Sequence, residues 1–180
     1  TGSTIDVKTT KEVCQILGNK NIDMLDAPVS GGVQGAKSGS LTFMVGGSRD
    51  DFDKLRFLFE YMGSRSVYCG KNGSGQTAKI CNNMILGVTM IATCEAFALA
   101  DKLELDREAM FDVVSTSSGY SWSMNSYCPA PGVGPKAPSD NNYTPGFSSD
   151  LMLKDLTLSQ NASSESKAST PMGDLSLIHI

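Results

Sequence analysis

Three stretches of this chain carry residue types that could do chemistry. The first is GKNGSGQTAKICNN, residues 70–83, where three glycines precede one lysine and two asparagines at the head of a long apolar run. Lys79 and Asn83 are four apart, so a helix projects both from one face. Gly73 and Gly75 just ahead would let backbone approach a ligand closely. A lysine in the first turns of a buried helix is costly unless paired, and burial lowers its pKa toward neutrality, where general acid/base catalysis works. Taken alone, the pattern is met more simply by a snorkelling lysine and a helix-packing asparagine.

The second stretch is DAPVSGG, residues 26–32, which reads as a strand ending in a glycine pair. Strand ends in open α/β sheets are common ligand sites, and successive backbone N–H groups there can hold a carboxylate. A tight turn that simply needs glycine is the plainer alternative. The third runs from Gly146-Phe147 to LMLKDL at 151–156, with Asp155 eight residues after Phe147 near the start of a helix. By itself it reads as a surface Lys154–Asp155 pair.

Elements must hold these stretches in place. Val7, Val13, Ile16 and Leu17 mark a helix within 6–20, with Asp6 as N-cap and Gly18 near its end. Residues 22–29 read as a strand closed by Pro28 and the glycines, and LTFMV at 41–45 as a second, buried strand. Residues 50–61 place Phe52, Leu55, Phe59 and Met62 on one helical face, and 66–69 form a third short strand. From 76 to 103 the chain is almost continuously apolar without proline, the pattern of a long buried helix. A helix capped by Asp106 follows over 106–115, then a Ser/Pro/Gly/Asn-rich ordered loop over 117–147 and a helix over 151–160.

The expected fold class is therefore α/β followed by all-α, the end of a Rossmann-type dinucleotide-binding domain and then a helical domain begun by a long buried helix. The boundary is placed near residue 74, giving domains of 1–74 and 75–180.

Composition excludes several alternatives. A net charge of -4 and a pI near 4.9, with no block of like charges, argue against nucleic-acid and acidic-membrane partners. The run at 84–100 contains Glu95 and is bordered by Asn82 and Asn83, so it reads as a bundle helix and not a membrane span. Five scattered cysteines and the single histidine, His179, make no zinc pattern, and no metal is expected. The odd cysteine count without regular spacing fits a reducing interior.

Read together and in order, the motifs resemble the β-hydroxyacid dehydrogenase family. DAPVSGG is similar to its substrate-binding signature, and Gly70-x-x-Gly73-x-Gly75-x-x-x-Lys79-x-x-x-Asn83 to its catalytic signature. STID at 3–6 and LKDL at 153–156 resemble segments that reach the nicotinamide cofactor, and the likeness runs to about residue 172. The resemblance implies Lys79 as catalytic acid/base and Asn83 as a substrate-orienting group. Ser30, Gly31 and Gly32 would bind the substrate carboxylate, and Thr4 and Lys154 would contact the cofactor, NAD. Phe147 and Asp155 would support the site.

The loop Pro129-Ala130-Pro131-Gly132, with Trp122, Asn141, Asn142 and Tyr143 around it, is similar to the loop of those members that oxidise 3-hydroxyisobutyrate to methylmalonate semialdehyde in valine breakdown. Glyoxylate, succinic semialdehyde or tartronate semialdehyde reduction is the alternative within the family, and a non-catalytic binding module the alternative outside enzymology. The family further implies a homo-oligomer, dimer or tetramer, and a mitochondrial matrix location in a eukaryote. No GxGxxG precedes the first motif and the tail from about 173, GDLSLIHI, departs from the family pattern. The chain is thus read as a fragment with weak or no activity on its own.

Overall fold

The structure is a computed structural model and describes residues 2–144 and 146–179. It divides into two compact units, Thr1–Asn83 with Thr157–Ser169, and Met84–Leu156 with Thr170–Ile180.

The first unit begins with helix α1, Val7–Gly18, whose N-cap Asp6 accepts a hydrogen bond from the Thr9 N–H as its sequence position predicts. Three strands follow, β1 (Val29–Ser30), β2 (Leu41–Gly46) and β3 (Gly63–Gly70), in the order β1-β2-β3. β1 runs antiparallel to β2, pairing Val29 with Phe43, and β2 runs parallel to β3. Helix α3, Arg49–Met62, makes the crossover a parallel pair requires. Phe43, Val45, Phe52 and Phe59 form the core with Ala27, and the Phe43 and Phe59 rings lie 5.0 Å apart. Of the four apolar residues read on one face of α3, Phe52 and Phe59 are buried and Leu55 and Met62 are exposed.

Two expectations in this unit change. The strand over 22–29 is reduced to β1 and a single bridge between Asp26 and Gly46. Pro28 has no N–H to offer the ladder, although its carbonyl still accepts from Met44 N at 2.9 Å. The glycine pair at 31–32 is not a bare turn but opens a six-residue helix, α2, Gly32–Lys37, with Gly31 at φ 127° and Gly32 at φ 59°.

Helix α4, Ser74–Lys102, has 29 residues and is the longest element. Its length matches expectation, but its burial is narrower than the apolar composition suggested. Gln76, Ile80, Asn83, Thr93, Phe97 and Ala100 are buried, whereas Ile85 and Leu99 are 62% and 60% exposed. The helix is long and apolar enough to cross a membrane by composition, but its buried stripe includes Gln76, Asn83 and Thr93. A polar stripe of that kind belongs to a helix packed against protein.

In the second unit α5, Arg107–Ser115, is capped by Asp106, which accepts from Ala109 N. Phe97, Met124, Cys128, Ala130 and Val133 make its core. Within the described residues of the 117–147 segment lie a short helix, α6 (Trp122–Asn125), and a 3-10 turn, Pro138–Asn141. Helix α7, Ser149–Ser166, runs beyond the predicted 151–160, and the tail forms α8, Pro171–His179. Gly87 lies where an added Cβ would come within 3.0 Å of Leu156, so its lack of a side chain lets α4 and α7 approach.

Candidate active site

The residue that organises the first unit is Asp26, fully buried. Its backbone bridges Gly46 in both directions, N to Gly46 O at 3.0 Å and O from Gly46 N at 2.8 Å. Its carboxylate faces the start of α4. Oδ1 accepts from Gly73 N at 2.7 Å and Oδ2 from Gln76 N at 3.0 Å. These are N–H groups that a helix start leaves without intrahelical partners, and a carboxylate there also meets the positive end of the helix dipole. Asp26 thus caps α4 across the sheet, from 47 residues away in the chain.

The glycines of the motif acquire a different reason from the one read in the sequence. A Cβ on Gly75 would strike Met44 O and stand 2.8 Å from Asp26 O, and one on Gly46 would stand 2.6 Å from Asp26 Oδ1. The close approach they permit is between α4 and the sheet. Gly73, at φ 89°, makes the turn into the helix, and Asn72 Nδ2 ties that turn to Met24 O at 2.6 Å.

Gln76 carries the next connection. Its Oε1 accepts from Ile5 N at 3.2 Å and its Nε2 donates to Ser3 O at 2.7 Å. One side-chain amide therefore satisfies an acceptor and a donor on either side of Thr4, as a rung of a β-ladder would. The segment STID, the first turn of α4 and the DAPV segment are so joined through two buried side chains, Gln76 and Asp26.

On this base Lys79 lies half-buried and Asn83 is 1% exposed, one turn further along α4. Asn83 Oδ1 accepts from Asn82 Nδ2 at 3.0 Å. Ser30 is half-buried at the end of β1, while Gly31 and Gly32 are exposed. Neither Asp26 nor Gln76 was given a role from the sequence. The available signal was a carboxylate and an amide set among apolar residues and glycines, but their partners lie too far along the chain to be read.

The remaining predicted residues belong to the second unit. Asp155 is buried on α7, and its Oδ1 lies 2.9 Å from Lys154 Nζ. The pair is therefore not the simple surface ion pair that the local sequence suggested. Phe147 is 39% exposed. The proline-rich loop before it is held by Asp140, whose Oδ1 accepts from Gly132 N at 2.7 Å and Oδ2 from Ala137 N at 2.9 Å. Those two backbone N–H groups hold the Asp140 carboxyl below the usual carboxylate range. Ser139 Oγ donates to Cys128 O at 2.7 Å, Tyr143 Oη to Pro129 O at 3.2 Å, and Trp122 stacks on Tyr127 at 4.9 Å. Burial raises the Tyr127 phenol, offset in part by the Phe147 backbone.

The fold is the later part of a nucleotide-binding sheet followed by helices, and Gln76 ties the helix bearing Lys79 and Asn83 to the segment bearing Thr4. The family model described as NAD-binding of NADP-dependent 3-hydroxyisobutyrate dehydrogenase matches residues 73–177, reaching into the tail expected to depart from the family. One described as the NAD binding domain of 6-phosphogluconate dehydrogenase matches residues 1–70. The chain belongs to the 3-hydroxyisobutyrate dehydrogenase family of NAD-binding proteins.

It is 47% identical over 173 residues to the mitochondrial 3-hydroxyisobutyrate dehydrogenase of Mus musculus, covering 96% of this chain and 52% of that protein. It is 45% identical over 175 residues to an NAD-dependent L-serine dehydrogenase of Pseudomonas aeruginosa, covering 97% of this chain and 59% of that protein. Among solved structures, Mycobacterium tuberculosis 3-hydroxyisobutyrate dehydrogenase with L-serine matches at a TM-score of 0.94 and 43% identity, over 98% of this chain and 60% of that one. The chain thus spans little more than half the length of these relatives.

Thr4 is half-buried and lies between the two backbone groups that Gln76 holds, on a segment tied to the head of α4. A threonine side chain offers the donor and acceptor that the amide and ribose groups of a nicotinamide nucleotide take, so its residue type fits that cofactor.

Proposed function

We propose that the protein is an NAD-dependent oxidoreductase that oxidises 3-hydroxyisobutyrate to methylmalonate semialdehyde, with Lys79 as general acid/base. The observation that carries this reading is the placement of Lys79 and Asn83 on α4. The first turn of that helix is tied by Asp26 to the sheet and by Gln76 to the segment bearing Thr4.

When bound, a nicotinamide cofactor supplies the acceptor for hydride from the carbon bearing the hydroxyl. Lys79, entering neutral, takes the hydroxyl proton as the carbonyl forms and leaves as ammonium, so charge does not build on oxygen. Asn83 hydrogen-bonds the substrate and fixes its hydroxyl toward Lys79. Ser30 and the backbone N–H groups of Gly31 and Gly32 bind the carboxylate. Thr4 and Lys154 contact the cofactor, while Phe147 and Asp155 support the site.

L-Serine is the second substrate to weigh, because it is also a 3-hydroxy carboxylate and appears in the names of two relatives. Reduction of glyoxylate, succinic semialdehyde or tartronate semialdehyde is a further alternative. The deciding experiment is a panel of these substrates with the intact protein, run beside Lys79→Met. Preference for 3-hydroxyisobutyrate, lost in the variant with cofactor affinity retained, is the expected result. Activity surviving in Lys79→Met would overturn the acid/base assignment.

The meeting of the two family models between residues 70 and 73 supports a sequence-family division near residue 74, whereas the compact units divide after Asn83. A homo-oligomer fits the exposed Ile85 and Leu99 on α4. A mitochondrial matrix location in a eukaryote is supported by the mammalian relatives' names. The 180 residues alone, spanning 52% of the mouse relative, should turn over weakly or not at all.

A further inference from the structure

We infer that Gln76 is a positioning residue that sets the cofactor side of the site against the proton-transfer side. This rests on the dinucleotide reading above. Gln76 is fully buried, and its side-chain amide bonds the backbone on both sides of Thr4, Nε2 to Ser3 O at 2.7 Å and Oε1 from Ile5 N at 3.2 Å. Its own N–H is held by Asp26 Oδ2 at 3.0 Å. The residue is thus immobilised at its backbone end by the sheet and at its side-chain end by the extended segment. Lys79 follows three residues later on the same helix. A shift of the 3–6 segment against α4 therefore has to break the Gln76 bridge.

The bridge needs an amide specifically. Ser3 O requires a donor and Ile5 N an acceptor, and a carboxamide supplies both side by side from one planar group that does not titrate. Asparagine is one methylene too short to span the same gap. Glutamate still accepts from Ile5 N but sets an oxygen against Ser3 O, and methionine fills the volume while making neither bond.

The test uses the intact protein with Gln76→Met and Gln76→Glu. Amide exchange at Ile5 should accelerate about tenfold in Gln76→Met, the loss of one part-buried hydrogen bond, and less in Gln76→Glu. NADH affinity, followed by its own fluorescence, should fall about tenfold in Gln76→Met, and the KM for NAD should rise by a similar factor. The kcat should stay within about threefold and its pH profile should not move, because Lys79 itself is untouched. Rescue should follow the chemistry, with Gln76→Glu intermediate.

A merely structural role would instead lower Tm and scale activity with the folded fraction, leaving KM and NADH affinity unchanged, and that outcome overturns the inference. So does unchanged exchange at Ile5. Wild-type protein that binds no NADH overturns the dinucleotide reading together with this one. Wild type that binds it, beside a Gln76→Met that binds equally well, overturns this inference alone.

Discussion

Asp26 and Gln76 stand 50 residues apart in sequence and meet where the Gln76 backbone N–H donates to Asp26 Oδ2 at 3.0 Å, with both side chains fully buried. The bond closes the start of the longest helix onto the sheet and sets the direction in which Lys79 and Asn83 leave it. Replacing Asp26 with Ala would strand the Gly73 and Gln76 N–H groups in a dry interior. The expected cost is about 3 kcal/mol in urea unfolding, with Asp26→Asn losing about half as much because one oxygen acceptor remains. An Asp26→Ala protein of wild-type stability would show that the cap contributes nothing.

Glycine 75 separates packing from propensity. Alanine there would strike Met44 O and crowd Asp26 O and Oδ2, backbone and buried carboxylate atoms that cannot yield. Gly75→Ala should lose several kcal/mol or fail to fold, in spite of alanine's better helix propensity. Gly18→Ala is the control, since nothing lies within 4 Å of its added Cβ. That substitution should be neutral or stabilising by up to about 1 kcal/mol in thermal unfolding.

Lysine and arginine differ at position 79 in a way that tests proton transfer. Arginine keeps the positive charge but holds its proton at every working pH. If Lys79 only attracts an anionic substrate, Lys79→Arg retains most of kcat. If it carries the proton, kcat of the intact protein falls by about 10²- to 10⁴-fold in both Lys79→Arg and Lys79→Met.

The loop held by Asp140 should respond to acid. Because the folded carboxyl is held below its ordinary value, the contribution is fully present above about pH 4, the unfolded range. It is lost as pH falls through the lower folded value. Trp122, stacked on Tyr127 in the same segment, reports it by fluorescence. Asp140→Asn offers one acceptor oxygen where the carboxylate offers two. It should shift the emission at neutral pH and flatten the acid transition. An unchanged acid transition in the variant would remove Asp140 from the account.

The exposed Ile85 and Leu99 give a test of assembly. Leu99→Glu should convert an oligomer of the intact protein to smaller species in analytical ultracentrifugation, without lowering the stability of the protomer. Unchanged mass would place the interface elsewhere.

Where structure follows from neighbours in the chain, it was legible. Asp6 and Asp106 cap the helices their positions announce, LTFMV is a strand, and the apolar run from 76 is a helix. The failures share a cause. The strand at 22–29 is reduced to a bridge at Asp26 and the short β1 after Pro28, and α2 arises at a glycine pair that also suits a turn. The apolar run of α4 indicated a helix, but not which of its faces the protomer would bury.

By itself the sequence determined the elements, the order of the signatures and the spacing of Lys79 and Asn83 on one helical face. Period, capping and side-chain chemistry are local properties, and they act before the chain folds. Tertiary structure decided what the glycines are for, and it gave Asp26 and Gln76 their roles. Those roles depend on buried donors and acceptors 47 to 73 residues apart, and satisfying them is a requirement that only the folded interior imposes.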